Sequence, residues 1–163
     1  YHWYIVAVML VVYGILFIVV GNYQKGRKPK VTKMSQLTVP MILIIGVFQM
    51  LALIPGTSRS GATIVGALMI GVSRGLAAEY TFFLAIPVMF GASLVKLVKF
   101  GFDFTVMQAV LLVLGMAVSF AVSILAIKFL LGYIRKNDFK VFGYYRIVLG
   151  IVVLLYFGIM SLL

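Results

Sequence analysis

The sequence predicts an all-α integral membrane protein with about four transmembrane helices and one re-entrant helix–loop–helix pair. Of its 163 residues, 64% are hydrophobic and 10% are charged, whereas a soluble domain has about 25% charged residues. The apolar residues fall into long blocks, and most basic residues cluster between those blocks. This pattern is typical of membrane-spanning helices joined by positively charged cytoplasmic loops.

Apolar blocks define the elements in chain order. Four blocks reach or approach the ~20 residues that a helix needs to cross the hydrocarbon core; they are residues 3–20, 77–98, 107–131 and 141–163. Another block, residues 39–72, is interrupted by a polar stretch that leaves two short halves, 39–54 and 62–72. Small residues inside these blocks are predicted to permit close helix packing; they are Gly14, Gly66, Gly71, Gly91 and Gly115.

The basic clusters constrain the topology. One cluster lies in residues 25–33 and another in residues 135–140. If both face the cytoplasm, an even number of crossings separates them, and blocks 77–98 and 107–131 already supply two. As helices the two halves of block 39–72 would extend only ~24 and ~17 Å, which is too short for each half to cross the membrane. A single kinked span would give an odd number of crossings between the two basic clusters. A re-entrant pair is therefore favoured, since irregular backbone at membrane depth is tolerated when protein or water surrounds it.

This topology places every basic residue on the cytoplasmic side except Lys96 and Lys99, which fall outside, and Arg59, which lies within the membrane. The basic loops flank apolar spans, so they are interpreted as topology signals that can also touch anionic lipid head groups, and nucleic-acid binding is not expected. The chain begins at Tyr1 and enters an apolar block at once. We therefore expect a single membrane domain, residues 1–163, that forms the C-terminal part of a longer protein.

Composition restricts the chemistry. The chain has no cysteine, one histidine and three acidic residues; these are His2, Glu79, Asp103 and Asp138. A disulfide framework and a thiolate metal site are excluded. A catalytic carboxylate pair or a histidine base is hard to assemble from this chain alone.

The polar interruption, PGTSRSGAT at residues 55–63, is the candidate functional segment. Pro55 is predicted to end the first half-helix. Gly56 and Gly61 allow close approach of a ligand to the backbone. Ser58 or Ser60 can cap the second half-helix, whose N-terminus then directs N–H groups and the positive end of its dipole into the site.

Arg59 is the residue that a simple chain turn does not explain, because a charged group at membrane depth needs a partner. Its guanidinium can bind two phosphate oxygens at once, and Thr63 lies one turn further on the same face. The residues therefore predict an anion site suited to phosphate or pyrophosphate. Two supporting residues are weighed beside it: Glu79 either offsets Arg59 or pairs with Arg74, and Gln49 hydrogen-bonds either the loop or a neighbouring helix.

PGTSRSGAT resembles the PGxSRSxxT motif of the undecaprenyl-pyrophosphate phosphatase family, which is linked to bacitracin resistance, and the similarity extends from about residue 39 to residue 131. The resemblance implies the second half of an inverted-repeat fold in the bacterial plasma membrane. It also implies hydrolysis of a polyprenyl pyrophosphate, which recycles a cell-wall carrier lipid, and a requirement for Mg²⁺ or Ca²⁺.

Carried over by position, the resemblance makes Arg59 and Ser58 catalytic, and makes Gly56, Ser60, Gly61 and Thr63 substrate-binding. The family's second motif, an (E/Q)xxxE segment followed by a PxSSTGH-like segment, has no counterpart here. Its metal-binding glutamates, histidine and nucleophilic serine are therefore expected outside this chain, with no metal ligands within it. We predict that the chain alone is inactive.

Two other functions remain open at this stage. A transporter or flippase of a phosphorylated polyprenyl lipid would use the same broken-helix architecture, and a membrane scaffold would use the loop only as a turn. A homodimer is compatible with the sequence but not required by it.

Overall fold

The computed structural model describes residues 3–101, 105–137 and 139–160. Its helices are α1 Trp3–Tyr23, α2 Val39–Met50, α3 Arg59–Met69, α4 Arg74–Phe100, α5 Val106–Lys136 and α6 Lys140–Met160. Short 3₁₀ turns at Met34–Gln36 and Leu51–Leu53 precede and follow α2.

Four helices, α1, α4, α5 and α6, are long and apolar enough to cross a membrane. The predicted all-helical, multi-pass architecture is therefore confirmed. The structure extends three of the predicted spans by several residues, because α1 continues to Tyr23, α4 begins at Arg74 and α5 continues to Lys136. The apolar pattern made these spans too short, because polar and basic residues at the ends of a helix are helical but do not belong to the apolar block.

The interrupted block forms two short helices, as predicted: α2 has 12 residues and α3 has 11. The second half starts earlier than the expected residue 62, because Ser58 caps the helix and Arg59 is its first residue. Capping side chains can start a helix inside a polar segment, which the apolar pattern does not reveal.

Close helix packing occurs at some of the predicted glycines. A Cβ at Gly14 of α1 would lie 2.8 Å from the carbonyl oxygen of Gly143 in α6, so these backbones touch directly. A Cβ at Gly66 of α3 would lie 2.6 Å from Cγ of Phe48 in α2. By contrast, Gly91 and Gly115 have no neighbour within 4 Å in the part of the chain that the structure describes.

The core surrounds α3, although α3 is the shortest helix. Residues 61–68 of α3 are buried throughout, against side chains from α1, α2, α4 and the end of α5. In α5 no side chain from residue 106 to residue 133 is buried. The buried position of α3 places its N-terminus between α1 and α6, where the PGTSRSGAT segment lies.

Candidate anion site

The loop before α3 is held against the backbone of α1. Gly56 has φ +88°, and a Cβ there would lie 2.6 Å from Cα of Val6 and 2.7 Å from its carbonyl oxygen. Only glycine fits, both because of its positive φ and because of this contact. The close approach predicted at Gly56 is therefore made to α1 itself.

The first turn of α3 is organised by Ser58, which settles which serine caps the helix. Its Oγ accepts a hydrogen bond from the Gly61 amide at 3.2 Å and lies 3.1 Å from Oγ of Ser60. Within the described residues, the backbone amides of Arg59 and Ser60 form no hydrogen bond. They are available to an anion at the positive end of the α3 dipole.

Thr63 lies deeper than the predicted substrate-binding role requires. It is fully buried, and its Oγ1 lies 3.0 Å from each of the Arg59 and Ser60 carbonyl oxygens and 3.0 Å from Oγ1 of Thr81. Thr81 in turn donates to the carbonyl oxygen of Ala77 at 2.9 Å. The hydroxyl of Thr63 thus ties the first turn of α3 to α4, and its contact with a ligand stays a prediction.

Arg59 lies as expected on the first turn of α3 and is half-buried. Its Nη1 atom is buried, and no described residue offers it a hydrogen-bond partner. A buried guanidinium nitrogen without a partner costs free energy. Arg59 was singled out in the sequence as a charged group that needs a partner, and in the fold one of its guanidinium nitrogens has none among the described residues.

A second arginine, Arg146 of α6, adjoins the same helix turn. Its Nη1 and Nη2 lie 3.5 Å from the position that a Cβ at Gly61 would occupy, and its guanidinium lies 5.6 Å from the ring centroid of Phe17. Nη1 of Arg146 is also buried without a hydrogen-bond partner among the described residues. Gly61 therefore leaves room for this guanidinium beside α3.

The sequence interpretation missed Arg146, which the predicted topology counted among the cytoplasmic charges. The structure places its side chain beside the N-terminal turn of α3. One signal was available in the sequence: Arg146 lies inside the apolar block 141–163. The argument that charged groups within a span mark function applies to it as it does to Arg59.

A small cavity of about 150 Å³ opens beside these groups. Its polar lining comes from Ser60, Gly61, Thr81 and Arg146, and the remainder is apolar, including Phe17. The cavity thus combines a cation and hydroxyl groups with an apolar wall, which suits the junction between a phosphate group and a lipid chain.

The predicted supporting residues lie apart from this cavity. Glu79 is exposed and lines a separate groove of about 490 Å³ between α4 and α5. Gln49 is half-buried on α2. No hydrogen bond joins either side chain to residues 55–63 in the described part of the chain, so their supporting roles stay predictions.

The described residues do not form a ligand set for a divalent cation. Glu79 is the only acidic residue among them, and they contain no group of three His, Cys, Asp or Glu side chains that could hold a metal. His2, Asp103 and Asp138 lie outside the described residues. We therefore derive no step of the chemistry through a metal ion.

The fold defines a multi-pass helical membrane protein, and two arginines lie at the start of α3, where its candidate anion site is. The chain matches the family described as bacitracin resistance protein BacA over residues 1–152, and it belongs to that family. It is 62% identical over 159 residues to an undecaprenyl-diphosphatase of Desulfitobacterium hafniense, covering 97% of this chain and 57% of that protein.

Two further relatives carry the same name. An undecaprenyl-diphosphatase of Enterococcus faecalis is 62% identical over 151 residues, covering 93% of this chain and 55% of the relative. Undecaprenyl-diphosphatase 1 of Clostridioides difficile is 58% identical over 153 residues, covering 94% and 55%. The chain thus spans little more than half the length of these relatives. The predicted family and the bacterial membrane location are confirmed.

Proposed function

We propose that the protein that contains this chain hydrolyses undecaprenyl pyrophosphate to undecaprenyl phosphate and inorganic phosphate. This activity would recycle a carrier lipid of cell-wall synthesis and account for bacitracin resistance. The names of the relatives support it. The observation that carries the proposal is the pair of buried guanidinium nitrogens, on Arg59 and Arg146, that lack partners in the described part of the chain.

A pyrophosphate group is the ligand that best satisfies these nitrogens. It has several charged oxygens, and a guanidinium can bind two of them with parallel, charge-assisted hydrogen bonds. The amides of Arg59 and Ser60 and the α3 dipole add further attraction for an anion. The apolar wall of the adjacent cavity would receive the first part of the lipid chain.

In the proposed reaction a water oxygen attacks the terminal phosphorus, or an enzyme hydroxyl attacks it first and water then hydrolyses the phosphoenzyme to release inorganic phosphate. In either case a base accepts the proton of the nucleophile. The bond from that phosphorus to the bridging oxygen breaks, and the bridging oxygen leaves on the lipid monophosphate. Arg59 and Arg146 would together stabilise the negative charge that develops on the transferred group and on the leaving oxygen. Ser58 and Ser60 would offer hydroxyl hydrogen bonds, and Gly56 and Gly61 would keep the backbone close.

The nucleophile and its base are proposed to come from the part of the relatives that this chain does not cover. A serine hydroxyl needs an adjacent base to become a good nucleophile. The described residues include no histidine and one carboxylate, Glu79, and the hydrogen bonds of the Ser58 hydroxyl are to Ser60 and Gly61. A divalent cation, if required, would find its ligands in that same part. This chain by itself is therefore expected to be inactive.

We also propose that α2 and α3, within residues 39–72, form the re-entrant pair of an inverted-repeat fold. The support is their length, because helices of 12 and 11 residues extend only ~18 and ~17 Å. The break between them then lies within the membrane, where the N-terminus of α3 can face a lipid pyrophosphate.

The test is phosphate release from C55 pyrophosphate in detergent with Mg²⁺ or Ca²⁺, using the protein at its natural length and its Arg59→Ala and Arg59→Lys variants. Loss of a transition-state donor typically lowers kcat by ~10²–10³, and lysine should not restore the rate because it lacks the paired donors. Unchanged hydrolysis in a folded Arg59→Ala variant would remove Arg59 from the site. No phosphate release from the parent protein would reject the proposed hydrolysis and favour transport of a phosphorylated lipid, measured as lipid movement across vesicles.

A further inference from the structure

A second polar pocket lies at the opposite end of α3 from the anion site. It has a volume of about 760 Å³ and is formed where α1 and α3 end and α4 begins. Its lining includes five cations and no acidic residue among the described residues; the cations are Lys25, Arg27, Lys28, Lys30 and Arg74. We call it the basic pocket, and the chain segment 24–31 that forms its outer wall the basic loop.

The basic loop is hydrogen-bonded to the turn between α3 and α4. A loop that served only as a topology signal would need its charge but no fixed conformation. The amides of Lys30 and Val31 donate to the carbonyl oxygen of Gly71 at 2.9 and 3.3 Å, and the Ser73 amide donates to the carbonyl oxygen of Val31 at 2.8 Å. Val31 is 4% exposed and Val72 is 0% exposed. The loop is therefore held in one conformation against the turn between α3 and α4.

The cations of the loop are not needed to satisfy the end of α3. Nε2 of Gln24 donates to the carbonyl oxygens of Leu68 and Val72 at 2.9 and 3.2 Å. Backbone amides of Gly71 and Val72 occupy the carbonyl oxygens of Leu68 and Ala67. Lys25, Lys28 and Lys30 are exposed at the rim of the pocket, where their ammonium groups can meet an external anion.

The floor and the position of the pocket favour a lipid over a soluble anion. Buried apolar side chains, Leu68 at 1% exposed and Ile134 at 4% exposed, lie among its lining residues. The pocket also lies at the ends of the long helices α1, α4 and α5, which is where head groups meet a spanning protein. The guanidinium of Arg27 lies 3.9 Å from the ring centroid of Tyr23, and tyrosine is an aromatic residue typical of this interface.

From these features we infer that the basic pocket binds the phosphate head group of an anionic glycerophospholipid on the cytoplasmic face of the membrane. The rim cations contact the phosphate, and the apolar floor contacts the glycerol and the first methylene groups. This site is separate from the proposed hydrolytic site and does not depend on hydrolysis.

The test measures lipid binding by native mass spectrometry of the protein at its natural length, titrated with phosphatidylglycerol and, for comparison, phosphatidylcholine. The variant Lys28→Gln with Lys30→Gln removes two rim charges, and Lys96→Gln with Lys99→Gln is the matched control at the other end of α4. Each basic residue near an anionic surface contributes about a fivefold gain in affinity. We expect a ~25-fold loss of phosphatidylglycerol binding in the first variant and less than about twofold in the control.

Three further arms decide the result. The charge-conserving variant Lys28→Arg with Lys30→Arg should bind normally, and all variants should keep the midpoint of thermal unfolding because the side chains are exposed. Equal losses in the pocket variant and in the control, or no preference over phosphatidylcholine, would overturn the inference. Competition by inorganic phosphate at the concentration of the lipid would identify a soluble anion as the ligand and reject the lipid assignment.

Discussion

Replacement of Arg146 by methionine separates a functional from a structural role, because the two roles predict opposite signs for stability. Methionine keeps the long apolar stem that packs near Phe17 and Gly61 and removes the guanidinium. In the unliganded protein Nη1 of Arg146 is buried without a partner among the described residues, and an unsatisfied buried polar group costs about 1–3 kcal/mol. Arg146→Met should therefore stabilise the unliganded fold by up to about that amount.

The same variant should lose activity. If Arg146 binds the pyrophosphate, its removal should lower kcat/KM for C55 pyrophosphate by ~10²-fold or more. The assay pairs phosphate release with thermal unfolding in detergent, and Lys128→Met is the control because Lys128 is exposed on α5. A folded Arg146→Met variant with a lower unfolding midpoint and full activity would refute the reasoning and assign Arg146 a structural role.

Two further predictions concern the scaffold of the site. Gly56→Ala should destabilise the protein by about 2–5 kcal/mol, because alanine there would need a left-handed conformation and would clash with Val6. The control Gly46→Ala should be neutral or stabilising, since its Cβ would meet no described neighbour within 4 Å. Equal thermal unfolding midpoints of the two variants would contradict this prediction. Thr81→Val should lower stability by about 1–2 kcal/mol and reduce kcat through looser positioning of the first turn of α3. With Thr63→Val it should show a coupling of about 0.5–3 kcal/mol in a double-mutant cycle, and strictly additive effects would argue against the contact.

The element pattern could be predicted from the sequence because it depends on local composition. Long apolar blocks define membrane helices wherever they occur, and the two short halves of block 39–72 were visible as α2 and α3 for the same reason. Helix starts within polar segments were less predictable. The apolar pattern marked only residues 62–72, and the sequence left both Ser58 and Ser60 open as caps; the structure selects Ser58, so α3 begins at Arg59.

The candidate site could be predicted only in its contiguous part. Arg59 was found because a charge within an apolar segment is anomalous by itself. Arg146 was missed because it lies close to the basic cluster of residues 135–140 and was counted with the cytoplasmic charges, although block 141–163 contains it. Its role depends on α6 packing beside α1, where Gly14 and Gly143 bring the two backbones together.

The sequence by itself therefore determined the class of protein, the spans, and a nine-residue candidate motif for an anion site, because hydropathy and charge act through neighbouring residues. Only the tertiary structure decided that Arg146 joins Gly61, that Thr81 holds Thr63, and that the basic loop is fastened to the turn after α3. Each of these contacts joins positions 18 or more residues apart. Such contacts depend on how the helices pack, and packing is set by the shapes of all the side chains together rather than by any local pattern.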